Sequence, residues 1–124
     1  MKTYQPTEAE LEILKVLWEN QPATVREIFE KVSTKKEVVY TTILKQIQRL
    51  QDKGVLERIE SNEGHQYKCL LDQSDFQKNW MDKTKNMIFE GSFSRMAMQM
   101  LSENTDKAEL EALKHWLENE LKKQ

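Results

Sequence analysis

At 124 residues, with 38% hydrophobic and 32% charged side chains, the chain has room for one domain or a small domain with an appendage, and is too polar for one large core. No apolar run approaches the roughly 20 residues that cross a bilayer, and the opening residues form no signal-peptide pattern. The single cysteine, Cys69, excludes an intramolecular disulfide framework and fits a reducing cytoplasm, so the expectation is a cytoplasmic protein without membrane insertion.

A net charge of −2 argues against nucleic acid until its distribution is considered. Residues 1–30 carry three Lys or Arg against six Glu, whereas residues 31–58 carry seven (Lys31, Lys35, Lys36, Lys45, Arg49, Lys53, Arg58) against Glu37, Asp52 and Glu57. Phosphate responds to local charge more than to the whole-chain sum.

In chain order, Thr7 followed by Glu8 and Glu10 predicts a helix start, with a hydroxyl cap and carboxylates in the positive first turn. Leu11, Leu14, Leu17 and Trp18 recur at helical spacing, widened by Ile13 and Val16, as far as about Asn20. After Gln21-Pro22-Ala23, Thr24 and Glu27 form a capping box. They open a second helix that buries Val25, Ile28, Phe29 and Val32 and stops near Ser33. The stretch Glu37–Lys53 predicts a third helix, ended by Gly54, with Val39, Tyr40, Ile43, Ile47 and Leu50 in its apolar stripe. Its far side holds Thr41, Thr42, Lys45, Gln48, Arg49 and Lys53, with Gln46 at the boundary and Asp52 the one carboxylate. A helix of this kind can enter a DNA major groove, its hydroxyls and cations on phosphates and its Gln and Arg on base edges. The plain alternative is a solvated face.

Beyond Gly54 the period changes from about 3.6 to 2. Residues 55–60 and 65–71 predict two strands around a Ser61-Asn62-Glu63-Gly64 turn. Val55, Ile59, Tyr67, Cys69 and Leu71 are expected to face the helices, and Arg58 and Lys68 to point outward. Three helices and a hairpin make a winged helix-turn-helix over residues 1–71. The wing carries a warning, since Glu60 and Glu63 flank the turn and repel phosphate.

Ser74 and Gln77 predict a further cap opening a helical region over residues 72–124. Its first helix, about 75–90, carries Phe76, Trp80, Met87 and Ile88 and ends at Gly91. A short Met-rich helix follows over about 93–101, with Phe93, Met96, Met98 and Met100. The last, about 107–122, carries Leu110, Leu113, Trp116, Leu117 and Leu121. So small a region buries these side chains poorly within one protomer. A second copy of the chain is the expected remedy, with Phe76, Trp80, Met87, Ile88, Phe93, Met96, Met100, Leu110, Leu113, Leu117 and Leu121 in the dimer contact. The alternative is that the three helices fold back on the N-terminal unit. The fold class is therefore mainly α with a small β-hairpin.

Two constellations are set aside. His65 and Cys69, four residues apart on a strand, lie about 13 Å from each other, too far to share a metal. His115 has no nucleophile or acid arranged around it, there is no glycine-rich phosphate loop, and no nucleophile is paired with a base. No enzyme, no metal and no cofactor is expected.

The segments T-E-A-E-L-E-I-L-K-V-L-W, T-V-R-E-I-F, V-Y-T-T-I-L-K-Q-I-Q-R-L-Q-D-K-G and G-H-Q-Y-K-C together resemble the penicillinase repressor family, the regulators of β-lactamase and methicillin resistance that also include copper-responsive repressors. The resemblance is strongest over residues 6–71. It implies a homodimeric repressor on an inverted-repeat, double-stranded DNA operator. The family's recognition segment falls on Tyr40, Thr41, Thr42, Lys45, Gln46 and Arg49, and its wing on residues 58–68, which include Arg58, His65 and Lys68. In antibiotic-responsive members a membrane-bound sensor protease leads to cleavage at an Asn-Phe bond; the matching position here reads Gln99-Met100. The cysteine cluster of the copper-responsive members is absent, which argues against copper sensing. The readings that compete with a repressor are a ligand-gated regulator and a winged helix used for protein contact.

Overall fold

The computed structural model describes residues 4–62 and 64–124. Its elements are α1 (Glu8–Glu19), β1 (Ala23–Thr24), α2 (Val25–Ser33), α3 (Tyr40–Asp52), β2 (Leu56–Ser61), β3 (Gly64–Cys69), α4 (Gln73–Ile88), α5 (Phe93–Asn104) and α6 (Lys107–Lys122). One compact unit ends at Phe76, in the first turn of α4, and a second covers Gln77–Gln124. No helix among the described residues is long and apolar enough to cross a membrane.

Both expected capping boxes form. The Thr7 hydroxyl accepts the Glu10 amide at 3.1 Å while the Glu10 carboxylate accepts the Thr7 amide at 2.9 Å. Thr24 and Glu27 repeat the exchange at the same two distances. Each box satisfies two donors that a bare helix end leaves open. At the other end of α3, Gly54 takes φ +79° and the Val55 amide reaches back to the Leu50 carbonyl at 2.9 Å. This is the Schellman turn, and it carries Val55 into the core beside Leu50.

That core lies between the three helices and the sheet. Ile13, Leu14 and Leu17 of α1 meet Ile28 and Val32 of α2 and Ile43, Ile47 and Leu50 of α3. Val55, Leu56, Tyr67 and Cys69 close it from the sheet side.

The sheet has three strands in the order β1-β3-β2, all antiparallel. The two-residue β1, absent from the sequence reading, sets Ala23 opposite Tyr67. Just before it, the Gln21 carboxamide oxygen accepts the Cys69 amide at 2.7 Å. The register also corrects the expected faces of the wing. Leu56 pairs with Cys69 and Arg58 with Tyr67, whereas Ile59 pairs with Gln66 and Glu57 with Lys68. Directly opposed residues share a face, so Leu56, not Ile59, lies with Tyr67 and Cys69. Arg58 and Lys68 stand on opposite faces. The cause is the Schellman turn: Val55 belongs to it, the strand begins one residue later, and a one-residue shift exchanges every face.

In the second unit, α4 begins at Gln73, and the carboxylate that accepts the Asp75 amide at 3.1 Å is Asp72, which displaces the expected Ser74 cap. The chain turns out of α4 through Glu90 and Gly91, both with positive φ, and the Gly91 amide bonds the Lys85 carbonyl. Ser92 caps α5 and Asp106 caps α6. The helix over Phe93–Asn104 runs a turn beyond its expected end.

Candidate nucleic-acid interface

The third helix begins at Tyr40, three residues later than its expected start at Glu37. Val39 is its N-cap and not part of the buried stripe; it is 64% exposed. No side chain caps this helix, and its first turn contains no acid. A missing cap ordinarily costs about 1 kcal/mol. It also leaves the positive end of the helix dipole open to an anion.

Tyr40 holds this open end against α2. Its ring meets Phe29 edge to face at 5.5 Å, and the Arg26 guanidinium lies 5.8 Å from the ring centroid. Only 37% of Tyr40 is exposed, so the side chain expected to touch DNA is largely occupied in docking α3 on α2. Beyond it, Thr41, Thr42, Lys45, Gln48 and Arg49 are exposed along one stripe, while Gln46 is half-buried at its edge. Gln48 therefore stands with the cations more fully than Gln46 does. Among the described residues neither Lys45 nor Arg49 has a carboxylate partner.

Lys53, read as part of the outer face, is used inside the unit. Its ammonium lies 3.1 Å from the Glu10 carboxylate and 5.7 Å from the centre of the Tyr4 ring. Glu10 is buried. Burial pushes its carboxyl up, but the Thr7 amide and the Lys53 ammonium outweigh this and hold it below the usual carboxylate range. Burial first, then the nearby Glu10 charge, push the Tyr4 hydroxyl far up. The clamp ties the start of α1 to the end of α3, fixing the helix whose outer stripe is exposed.

On the wing, exposed Arg58 has no carboxylate partner among the described residues. Lys68 lies 3.6 Å from Glu57 across the strands, and His65 lies 4.0 Å from Glu60. Of the three wing residues expected at DNA, two thus already face an acid. Glu63, the other acid expected at the tip, lies outside the described residues. Cys69 is buried, and burial pushes its thiol up against the lowering hydrogen bonds of Leu71 and Trp18.

The chain leaves the winged unit under Trp18, whose indole donates to the Leu71 carbonyl at 3.0 Å and whose ring lies 5.5 Å from Phe76. Phe76, expected in a dimer contact, is thereby committed to its own N-terminal unit. Met96 is likewise buried within its own chain and Leu113 is half-buried. Trp80, Met87, Ile88, Phe93, Met100, Leu110, Leu117 and Leu121 are exposed. Gln99 and Met100 sit within α5, both exposed.

Comparison with known proteins accords with this geometry. The methicillin resistance regulatory protein MecI of Staphylococcus aureus (strain N315) is 28% identical over 117 residues, covering 94% of this chain and 95% of that protein. The solution structure of monomeric BlaI of Bacillus licheniformis in complex with the blaP half-operator matches with a TM-score of 0.53 and 30% identity, over 60% of this chain and 90% of that one. A MarR family protein from Bacillus stearothermophilus, 17% identical, shares the fold with a TM-score of 0.58, over 97% of this chain and 76% of that one. The penicillinase repressor family model matches residues 6–119. The chain belongs to the penicillinase repressor family, whose members are winged-helix transcriptional repressors and not enzymes.

Proposed function

We propose that the chain represses transcription by laying α3 in the major groove of double-stranded DNA, as a homodimer on an inverted-repeat operator in the cytoplasm. The observation that carries this is the outer stripe of α3: exposed Thr41, Thr42, Lys45, Gln48 and Arg49 on a helix with an uncapped start and no carboxylate set against its cations among the described residues. In this reading Thr41 and Thr42 anchor phosphates, Lys45 adds charge, and Arg49 and the glutamines reach base edges. Arg58 supplies the wing's contribution. The BlaI structure bound to a half-operator supports the same use of the unit. The exposed apolar side chains of α4, α5 and α6 support the dimer, since a second copy covers them and spaces two reading helices. A dimer on a promoter blocks polymerase sterically.

Titrating duplex binding against salt tests the reading. Log K should fall linearly with log salt, by about 0.9 for each phosphate contacted. On operator sequences selected from a random pool, Arg49→Ala should cost about 1–3 kcal/mol and relax selectivity at one base. A protein-docking module would show almost no duplex binding in dilute buffer, and that result would overturn the proposal.

A further inference from the structure

Val39 marks the start of α3 in a way that no other described helix start shares. Thr7, Thr24, Ser92 and Asp106 cap α1, α2, α5 and α6 with a side-chain oxygen, and Asp72 does the same for α4. At α3 the cap is an aliphatic side chain, exposed to 64%. Its neighbour explains the orientation. Val38 is partly buried against the core that contains Ile43, and the two occupy the N′ and N4 positions of a hydrophobic staple. The backbone at Val39 is extended, with φ −96° and ψ 140°, so successive side chains point to opposite sides. Val38 goes in and Val39 comes out. The conformation is held, because the Val39 carbonyl accepts the Thr42 amide at 3.0 Å and the Ile43 amide at 3.2 Å.

We infer that Val39 is a specificity-determining residue that packs against the 5-methyl group of one thymine in each half-site. The inference rests on the groove reading of α3. A groove helix meets base edges with its N-terminal residues. In the major groove the apolar feature on a base edge is the thymine methyl, and small aliphatic groups recognise it. Val39 stands beside Thr41 and Thr42, which are exposed toward the same end of the helix. A polar cap there would close the first turn on itself. Valine leaves the turn open and offers two methyl groups to the base.

The test uses the full chain and duplexes selected from a random pool, with each thymine replaced in turn by deoxyuridine, which lacks only the methyl. Wild type should bind roughly fourfold more weakly at one such position per half-site, the effect of unburying one methyl group. Val39→Ala should bind thymine and uracil alike at that position, and Val39→Ile, which keeps the branched aliphatic carbon and brings no capping oxygen, should restore the difference. Thermal unfolding should be unchanged in both variants, because the side chain is outside the core. Val39→Ala that still discriminates uracil at every position, or selected half-sites without thymine, would overturn the inference. If Arg49→Ala weakens binding while Val39→Ala leaves uracil discrimination intact, this inference alone falls. If wild type ignores duplex DNA, the groove reading falls and takes this one with it.

Discussion

The N-terminal unit and the three C-terminal helices use apolar residues in opposite ways. In the first, Ile13, Leu14, Leu17, Ile28, Ile47 and Leu50 are all 0% exposed. In the second, Met96 is the one apolar side chain that reaches burial among the described residues, while Trp80, Met87, Ile88, Trp116, Leu117 and Leu121 stay half or more exposed. Hydrophobic residues on a surface are ordinary one at a time, but a run of them on successive helices marks a contact. The winged unit is complete in one chain. The helices after it carry large apolar side chains that one chain leaves uncovered.

The largest effect should come from opening the closed core. Ile47→Ala should lower stability in urea unfolding by about 2–5 kcal/mol, whereas Ile88→Ala in the isolated chain should stay within about 0.5 kcal/mol. Equal costs at the two positions would remove the contrast.

Next comes the uncovered surface. Trp116→Ala combined with Leu121→Ala should weaken self-association by about 2 kcal/mol or more, close to thirtyfold. Sedimentation equilibrium reads this as a shift from twice the chain mass toward one, with the N-terminal core still folded. Wild type that sediments as a single chain at all concentrations would show that the exposed helices serve something else.

The smallest effect sharpens what closes the winged unit. Lys53→Ala leaves the buried Glu10 carboxylate without its cation and should cost about 1 kcal/mol near neutral pH, at the low end because Lys53 is half exposed. The sign of the pH dependence follows from the lowered pKa of Glu10. Its contribution is fully present above the ordinary carboxylate range and is lost as pH falls through the depressed folded value. In Lys53→Ala the folded value rises toward the ordinary range, so that acid loss should be complete at higher pH, and coincident acid transitions would mean the clamp contributes nothing.

Much of this was legible in the residue order, and the misses have local causes. The capping boxes at Thr7 and Thr24 mark their helices because a hydroxyl and a glutamate three residues apart solve the same end problem in any context. The start of α3 carries no such mark. With Val38, Val39 and Tyr40 in succession, periodicity alone could not tell a buried valine from an exposed one. β1 is two residues long, too short for any alternation, and exists because β3 passes beside it. Helical spacing assigned Lys53 to the outer face, while the carboxylate that claims it, Glu10, lies far away in the sequence. At the candidate interface, Lys45 and Arg49 were readable as exposed cations. The pairing of Lys68 with Glu57 was not, since it depends on a register that Val55 shifts by one.

Among the described residues the strand order leaves β2 with one strand neighbour, β3. An edge strand is a template on which a stray chain can extend the sheet. Glu57, Arg58 and Glu60 stand exposed along that margin. Another strand approaching it would have to strip water from alternating charges, so the wing can project from the body of the protein without recruiting aggregates.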